Sequence, residues 1–158
     1  MPIYLTRTLE SFITSSAAKF PVLLMTGARQ VGKTSLLRRL KEDSRVYVTL
    51  DDPLALRLAR EDPPLFLQRF PAPALIDEIQ YAPELLPYIK IAVDNDRRPG
   101  MYWLTGSQPF HLMKGVSESL AGRVAIVIGD VAPGDCRAGR QCGPHCSKAG
   151  HAGAGQGE

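Results

Sequence analysis

The sequence predicts an α/β protein in which a parallel sheet is covered by helices on both faces. Short apolar runs alternate with stretches whose apolar residues recur at helical spacing, and this alternation is typical of parallel sheets. A loop containing glycines separates the first apolar run from a helical stretch, and two later runs end in polar or acidic residues. Ligands of such sheets bind at the carboxyl ends of the strands, so these polar ends form the candidate site.

Each element is predicted from its local pattern. Leu5, Leu9, Phe12 and Ile13 recur at helical spacing, which predicts an amphipathic first helix. The predicted strands are 20–26, 45–50, 74–76, 101–105 and 124–128. The predicted helices are 5–18, 33–41, 54–60, 86–94 and 116–121, with a further short piece at 64–70.

The loop after the first strand has the pattern GxxxxGKT. Its two glycines allow the backbone to curl with N–H groups pointing inward, and the following helix adds the positive end of its dipole. We expect Lys33 to reach the β- and γ-phosphates of a nucleotide and the Thr34 hydroxyl to ligate Mg²⁺. The residues predicted to surround the phosphates are Gly27, Ala28, Arg29, Gln30, Val31, Gly32, Lys33, Thr34 and Ser35.

This phosphate loop has a plainer alternative, a glycine-rich turn that only joins two elements. That alternative gives Lys33 and Thr34 no role. For Arg29, pairing with a surface acid is favoured over contact with the nucleotide.

The third strand ends in Asp77 and Glu78. Asp77 follows three apolar residues and suits the carboxylate that holds Mg²⁺ through water or through Thr34. Glu78 is placed to orient and deprotonate an attacking water. Two adjacent carboxylates at the end of a buried strand are costly without a cation. A solvated strand end that merely carries acids is the alternative.

Ser107 and Arg123 are the other candidate catalytic residues. Ser107 follows the fourth strand, where it or Gln108 would hydrogen-bond the γ-phosphate or the water, although the segment also suits a helix N-cap. Arg123 stands at a predicted helix end, just before the last strand. It either interacts with the helix C-terminus or stabilises the γ-phosphate of a neighbouring subunit as an arginine finger.

Composition and charge exclude other classes of function. The 158 residues suffice for one domain, and a net charge of +3 gives no argument for nucleic-acid binding. No apolar run approaches the ~18 residues that span a bilayer, and the N-terminus is polar where a signal peptide would be apolar. We therefore expect a soluble cytoplasmic protein. The sequence contains no Asn-Lys-x-Asp guanine-recognition motif.

Residues 129–158 differ in composition from the rest of the chain. They contain no Leu, Ile, Phe, Met, Trp or Tyr, so they bury too little apolar surface to offset their ordering entropy. We expect a folded core at 1–128 and a disordered tail at 129–158. The possible zinc ligands of the tail, whose spacing departs from paired CxxC sites, are Cys136, Cys142, His145 and Cys146.

Several motifs in order resemble the bacterial and archaeal AAA+ ATPases that join an N-terminal P-loop core to a C-terminal domain of unknown function. The matching segments, between about Leu5 and Ile128, are GARQVGKTSLLR, LDDPLALRLAREDPPLFL, ALIDEIQYAPELLPYIKIAVDNDRRPG, YWLTGSQPF and GVSESLAGRVAIV. The resemblance implies a P-loop NTPase three-layer sandwich with strand order 5-1-4-3-2, ATP and Mg²⁺ as ligands, and a homo-oligomer. By position it makes Gly27–Ser35 Walker A, Asp77 and Glu78 Walker B, Ser107 sensor 1 and Arg123 the arginine finger.

The sequence departs from this pattern after Ile128, where relatives continue into a helical lid and a second domain. We interpret residues 129–158 as a truncated or out-of-frame ending, a hypothesis that the coding DNA would test. The predicted function is that of an ATPase core without its lid, which binds Mg-ATP and hydrolyses it slowly or negligibly through water activated by Glu78. Two alternatives stay open, a nucleotide-binding module without significant turnover and a zinc- or nucleic-acid-binding adaptor.

Overall fold

A parallel sheet forms the centre of the protein. The computed structural model describes residues 3–27, 32–107, 114–116 and 118–129. The strands are β1, Val22–Thr26; β2, Val46–Thr49; β3, Ala74–Asp77; β4, Tyr102–Gly106; and β5, Val124–Ile128. All pair in parallel, in the order β2-β3-β4-β1-β5. Read from the opposite edge this is 5-1-4-3-2, so the predicted fold class and strand order are confirmed.

The helices lie close to the predicted bounds. They are α1, Ile3–Ala17; α2, Lys33–Leu40; α3, Pro53–Glu61; α4, Pro63–Arg69; and α5, Leu85–Asp96. A short 3₁₀ helix at Ile79–Tyr81 was not predicted. Between β4 and β5, residues 114–116 and 118–119 are helical, overlapping the helix predicted at 116–121.

Aspartate caps divide α3 from α4. The Asp52 carboxylate accepts a hydrogen bond from the N–H of Leu54, and the Asp62 carboxylate accepts one from Leu65 (both 3.0 Å). Proline stands in the first turn of both helices, where its missing N–H costs no helical hydrogen bond. Each helix therefore begins at an aspartate cap, and the second cap explains why α4 is a separate helix.

The two faces of the sheet pack against different helices. Val22 and Leu24 of β1 belong to a core that includes residues of α3, α4 and α5, whereas Leu23 and Met25 belong to a second core with α1 and α2. This division follows from the strand order. The connection after β1 runs towards one edge of the sheet, and the connections after β2 run towards the other edge. Because all crossovers are right-handed, connections in opposite directions place their helices on opposite faces. The result is three layers with the sheet in the middle.

Gly129 is the last residue that the structure describes. Its N–H donates to the carbonyl oxygen of Thr26 (2.8 Å), so the pairing of β5 with β1 continues one residue beyond Ile128. The rest of the predicted tail, with its cysteines, lies outside the described residues. In the part of the chain that is described, no helix combines the length and apolarity needed to cross a membrane.

Candidate functional site

Three neighbouring strands bring the predicted site together. In the sheet, β4 lies between β3 and β1, and all three run in the same direction. Asp77 stands at the carboxyl end of β3, Ser107 follows β4, and the phosphate loop begins after β1. The polar clusters therefore meet at one edge of the sheet, as their positions after the strands indicated.

The described part of the phosphate loop has the backbone that its glycines permit. Gly27 and Gly32 have φ values of +149° and +79°, where side chains are disfavoured. A Cβ atom at Gly27 would lie 2.4 Å from the carbonyl oxygen of Gly129, so the end of β5 packs directly against the loop. The predicted phosphate-binding residues Ala28, Arg29, Gln30 and Val31 lie outside the described residues.

Lys33 is buried at the first turn of α2. Only 7% of the residue is exposed, and its Nζ donates to the carbonyl oxygen of Gly27 at 2.9 Å, which spans the loop from end to end. Burial lowers the pKa of the Lys33 ammonium below its ordinary value, while the charges of Glu78 and Asp77 oppose that shift. An ammonium group is thus held inside the loop, as phosphate binding requires. Ser35, two residues further along α2, is exposed.

Asp77 is the centre of a hydrogen-bonded cluster. Its Oδ1 accepts from the hydroxyl of Thr34 at 2.6 Å and also from the hydroxyl of Thr105, and its Oδ2 accepts from the phenol of Tyr47 at 3.3 Å. Burial, together with the charge of Asp77, raises the pKa of Tyr47. Asp77 is 6% exposed, so it is not the solvated strand end of the alternative interpretation.

Tyr47 and Thr105 contribute contacts to the site that were not predicted. Tyr47 was expected only as a strand residue in the run RVYVTL, whereas Thr105 begins the polar cluster at the end of the fourth predicted strand, where it had no role of its own. A polar side chain at the carboxyl end of a strand beside the phosphate loop was the available signal for Thr105. Tyr47 gave none, because its contact with Asp77 depends on how β2 pairs with β3.

Glu78 follows β3 in a left-handed backbone conformation, with φ +60° and ψ +46°. Its N–H donates to the Thr105 hydroxyl at 3.1 Å, which ties this turn to β4. The hydroxyl of Ser107 donates to Glu78 Oε2 at 3.1 Å, and the side-chain amide of Gln80 donates to both Glu78 and Ser107. The predicted pair Glu78 and Ser107 is thus brought together, and Gln80 is an addition to the site. The N-cap alternative for Ser107 concerns residues 108–113, which lie outside the described residues.

Arg123 lies at the other end of the sheet. Its carbonyl oxygen accepts from the N–H of Val22 at 3.1 Å, at the amino ends of β1 and β5. Its guanidinium donates to both carboxylate oxygens of Asp94 on α5 (2.5 and 3.2 Å) and to the carbonyl oxygen of Ala121 at 2.9 Å. The hydrogen bond from Arg123 holds the pKa of Asp94 below its usual value. Within one chain, Arg123 therefore lies at the end of the sheet opposite to Lys33, Asp77 and Glu78.

The oxygen atoms around Asp77 suit Mg²⁺, which proteins hold through one or two carboxylates together with substrate phosphates. Thr34 and Asp77 supply a hydroxyl and a carboxylate 2.6 Å apart. Among the described residues, no group of three or more His, Cys, Asp or Glu side chains is placed to hold a metal ion. The zinc alternative rests on Cys136, Cys142, His145 and Cys146, all outside the described residues.

Comparison with known proteins gives a family match. A protein family described as "AAA domain" matches residues 19–130. An uncharacterized protein of Mycobacterium tuberculosis and one of Mycobacterium bovis are each 40% identical to this chain over 109 residues. The aligned region is 68% of this chain and 24% of each relative, so the chain spans about a quarter of the length of these relatives.

Proposed function

Since the chain belongs to the AAA-domain family, whose members are nucleotide-binding ATPase-like proteins, we propose that it binds ATP with Mg²⁺ and hydrolyses the bond to the γ-phosphate. The observation that carries the proposal is the 2.6 Å hydrogen bond between Thr34 and Asp77. It joins the end of the phosphate loop to the end of β3, so a hydroxyl and a carboxylate stand beside the buried ammonium of Lys33.

In the proposed binding mode, inward-facing N–H groups of the loop and the N-terminus of α2 receive the phosphates. The Lys33 ammonium exchanges the carbonyl oxygen of Gly27 for phosphate oxygens. Thr34 and Asp77 would hold Mg²⁺, which supplies positive charge beside the phosphates when bound. Tyr47 and Thr105 keep Asp77 fixed through hydrogen bonds.

In the proposed reaction, Glu78 accepts a proton from a water molecule as the water oxygen attacks the γ-phosphorus. The bond from that phosphorus to the bridging oxygen breaks, and ADP leaves with the electron pair. The Ser107 hydroxyl donates to the Glu78 carboxylate at 3.1 Å, and its oxygen can still accept a hydrogen bond from the attacking water.

Calorimetric titration of the 158-residue chain with ATP tests the binding step, and a phosphate-release assay tests the reaction. We expect ATP to bind in the presence of Mg²⁺ and to bind more weakly after Mg²⁺ is removed with EDTA. Absence of binding in calorimetry and with a fluorescent ATP analogue contradicts the proposal. Binding with no phosphate release would leave the alternative of a nucleotide-binding module without significant turnover.

Turnover is expected to be slow in a single chain, because Arg123 is engaged by Asp94 at the opposite end of the sheet. The five residues of β5 separate the two ends, a distance of about 16 Å. We propose that Arg123 acts on the γ-phosphate of a neighbouring copy, exchanging Asp94 for phosphate. Hydrolysis per chain should then rise with protein concentration.

Mixing two inactive variants tests this action between copies. Arg123→Ala should bind ATP but lose hydrolysis by about 10³-fold or more, the range for arginine fingers, whereas Lys33→Met keeps Arg123 but not the phosphate site. A mixture of the two should recover part of the activity, because one copy supplies the arginine and the other holds ATP. Arg69→Ala, at an exposed position of α4, is the control. Native hydrolysis by Arg123→Ala, or a mixture no more active than its components, contradicts the proposal.

A further inference from the structure

The side chain of Gln80 connects Glu78 with Ser107. Gln80 lies in the 3₁₀ helix Ile79–Tyr81, which begins directly after the left-handed turn at Glu78. The turn places the Gln80 amide within hydrogen-bonding distance of the side chains of Glu78 and Ser107. Its Nε2 donates to Glu78 Oε2 and, at 3.0 Å, to Ser107 Oγ.

The protons of these three side chains can be placed in one consistent way. An amide nitrogen carries two protons, so Nε2 serves both acceptors. The Ser107 hydroxyl accepts from Gln80 and gives its own proton to Glu78 Oε2 at 3.1 Å. Oxygen Oε2 of Glu78 therefore receives two donors, and none of the described residues donates to its Oε1.

The orientation of the Gln80 amide is determined by Glu78. An ionised carboxylate can only accept hydrogen bonds, so the nitrogen side of the amide must face it. The opposite atom, Gln80 Oε1, is then buried and finds no hydrogen-bond partner among the described residues. A buried acceptor without a partner destabilises the fold. The amide nevertheless keeps this orientation, in which its nitrogen donates to Glu78 and Ser107.

We propose that Gln80 is a positioning residue for hydrolysis, an inference that rests on the proposed ATPase function. By fixing Oε2 of Glu78, Gln80 and Ser107 leave Oε1 as the atom that accepts the proton of the attacking water. Gln80 touches neither water nor phosphate in this scheme. Its loss should therefore affect the step in which the proton moves and leave the affinity for ADP unchanged.

The variant Gln80→Met tests this role, because methionine keeps the length of the side chain and removes both donors. Gln68→Met, on the exposed face of α4, is the matched control. Two quantities are measured on the full chain: single-turnover hydrolysis at saturating Mg-ATP, and the affinity for Mg-ADP with and without aluminium fluoride, which mimics the transferred phosphoryl group. A thermal melt of each variant checks folding.

For Gln80→Met we expect hydrolysis to fall about tenfold or more, as is typical when a catalytic group is misplaced. Affinity for Mg-ADP with aluminium fluoride should fall by a similar factor, while affinity for Mg-ADP alone stays within about twofold. Gln80→Glu, which sets a second carboxylate against Glu78, should lose more. Among side chains at position 80, we expect only those with an amide donor to support the native rate of ATP hydrolysis.

The outcomes separate this inference from the proposed function. If the native chain binds no Mg-ADP, the proposed function itself fails. If the native chain binds Mg-ADP but neither gains affinity from aluminium fluoride nor releases phosphate, the proposed hydrolysis and the role of Gln80 fail together. If Gln80→Met matches the native chain in both quantities, only the role of Gln80 is overturned. Faster hydrolysis by Gln80→Met, or an equal loss of affinity for Mg-ADP with and without aluminium fluoride, also overturns it.

Discussion

Replacing Lys33 with methionine is expected to weaken ATP binding by about 100-fold or more. The ammonium is the buried cation of the loop, 7% exposed and 2.9 Å from the carbonyl oxygen of Gly27. With ATP bound it would make charge-assisted hydrogen bonds to phosphate, each worth about 1.5–3 kcal/mol. Two such bonds account for a loss of this size, and calorimetric titration with Mg-ATP measures it.

The same substitution should leave the nucleotide-free fold intact. Burial lowers the pKa of Lys33, which means that the folded protein holds the charged ammonium less favourably than water does. Methionine has a similar length and carries no charge, so its thermal melting temperature should equal or exceed that of the native chain. A loss of binding then reports the missing ammonium and not unfolding.

Lys19→Met is the control for Lys33→Met. Lys19 is an exposed lysine before β1, at the amino edge of the sheet and away from the loop. Lys19→Met removes the same charge as Lys33→Met but lies away from the candidate site, so its affinity for ATP should stay within about twofold of the native value. If Lys33→Met bound ATP as tightly as the native chain, the phosphate-binding role of residues 27–35 would be wrong.

Much of the fold could be predicted from the sequence because strand and helix patterns are local. The five apolar runs and the helical stretches between them appear as elements with small shifts at their ends, for example α5, predicted at 86–94 and observed at Leu85–Asp96. The strand order has a different basis. It depends on which strands pair across the sheet, so it followed from the resemblance to a family and not from periodicity.

The parts of the site that were missed depend on contacts between distant segments. Tyr47 reaches Asp77 only because β2 pairs with β3. Gln80 reaches Ser107 only because Glu78 adopts a left-handed conformation and starts a 3₁₀ helix, and no local pattern indicates such a turn after a strand.

Away from the site, Arg45 is 4% exposed and its guanidinium stacks 4.1 Å from the centre of the Trp103 ring. The sequence placed it only at the start of a strand.

Replacing Glu78 with glutamine is expected to reduce hydrolysis by about 10²–10⁴-fold, the contribution of a general base, while ATP affinity stays within about threefold. Phosphate release under saturating Mg-ATP measures the first quantity and calorimetry the second. Glu84→Gln is the matched control, because Glu84 is an exposed glutamate just before α5. It should hydrolyse ATP at the native rate.

The hydrogen-bond network around Glu78 gives a physical reason for so large an effect from one exchanged atom. Gln80 and Ser107 both donate to Oε2, so a glutamine at position 78 must place its oxygen there to accept from them. Its NH₂ group then occupies the position of Oε1, where it can donate a hydrogen bond to water but cannot accept a proton. The isosteric variant thus keeps the contacts of the site and loses the base. If Glu78→Gln hydrolysed ATP at the native rate, the base would have to be another group, and the positioning role of Gln80 would lose its target as well.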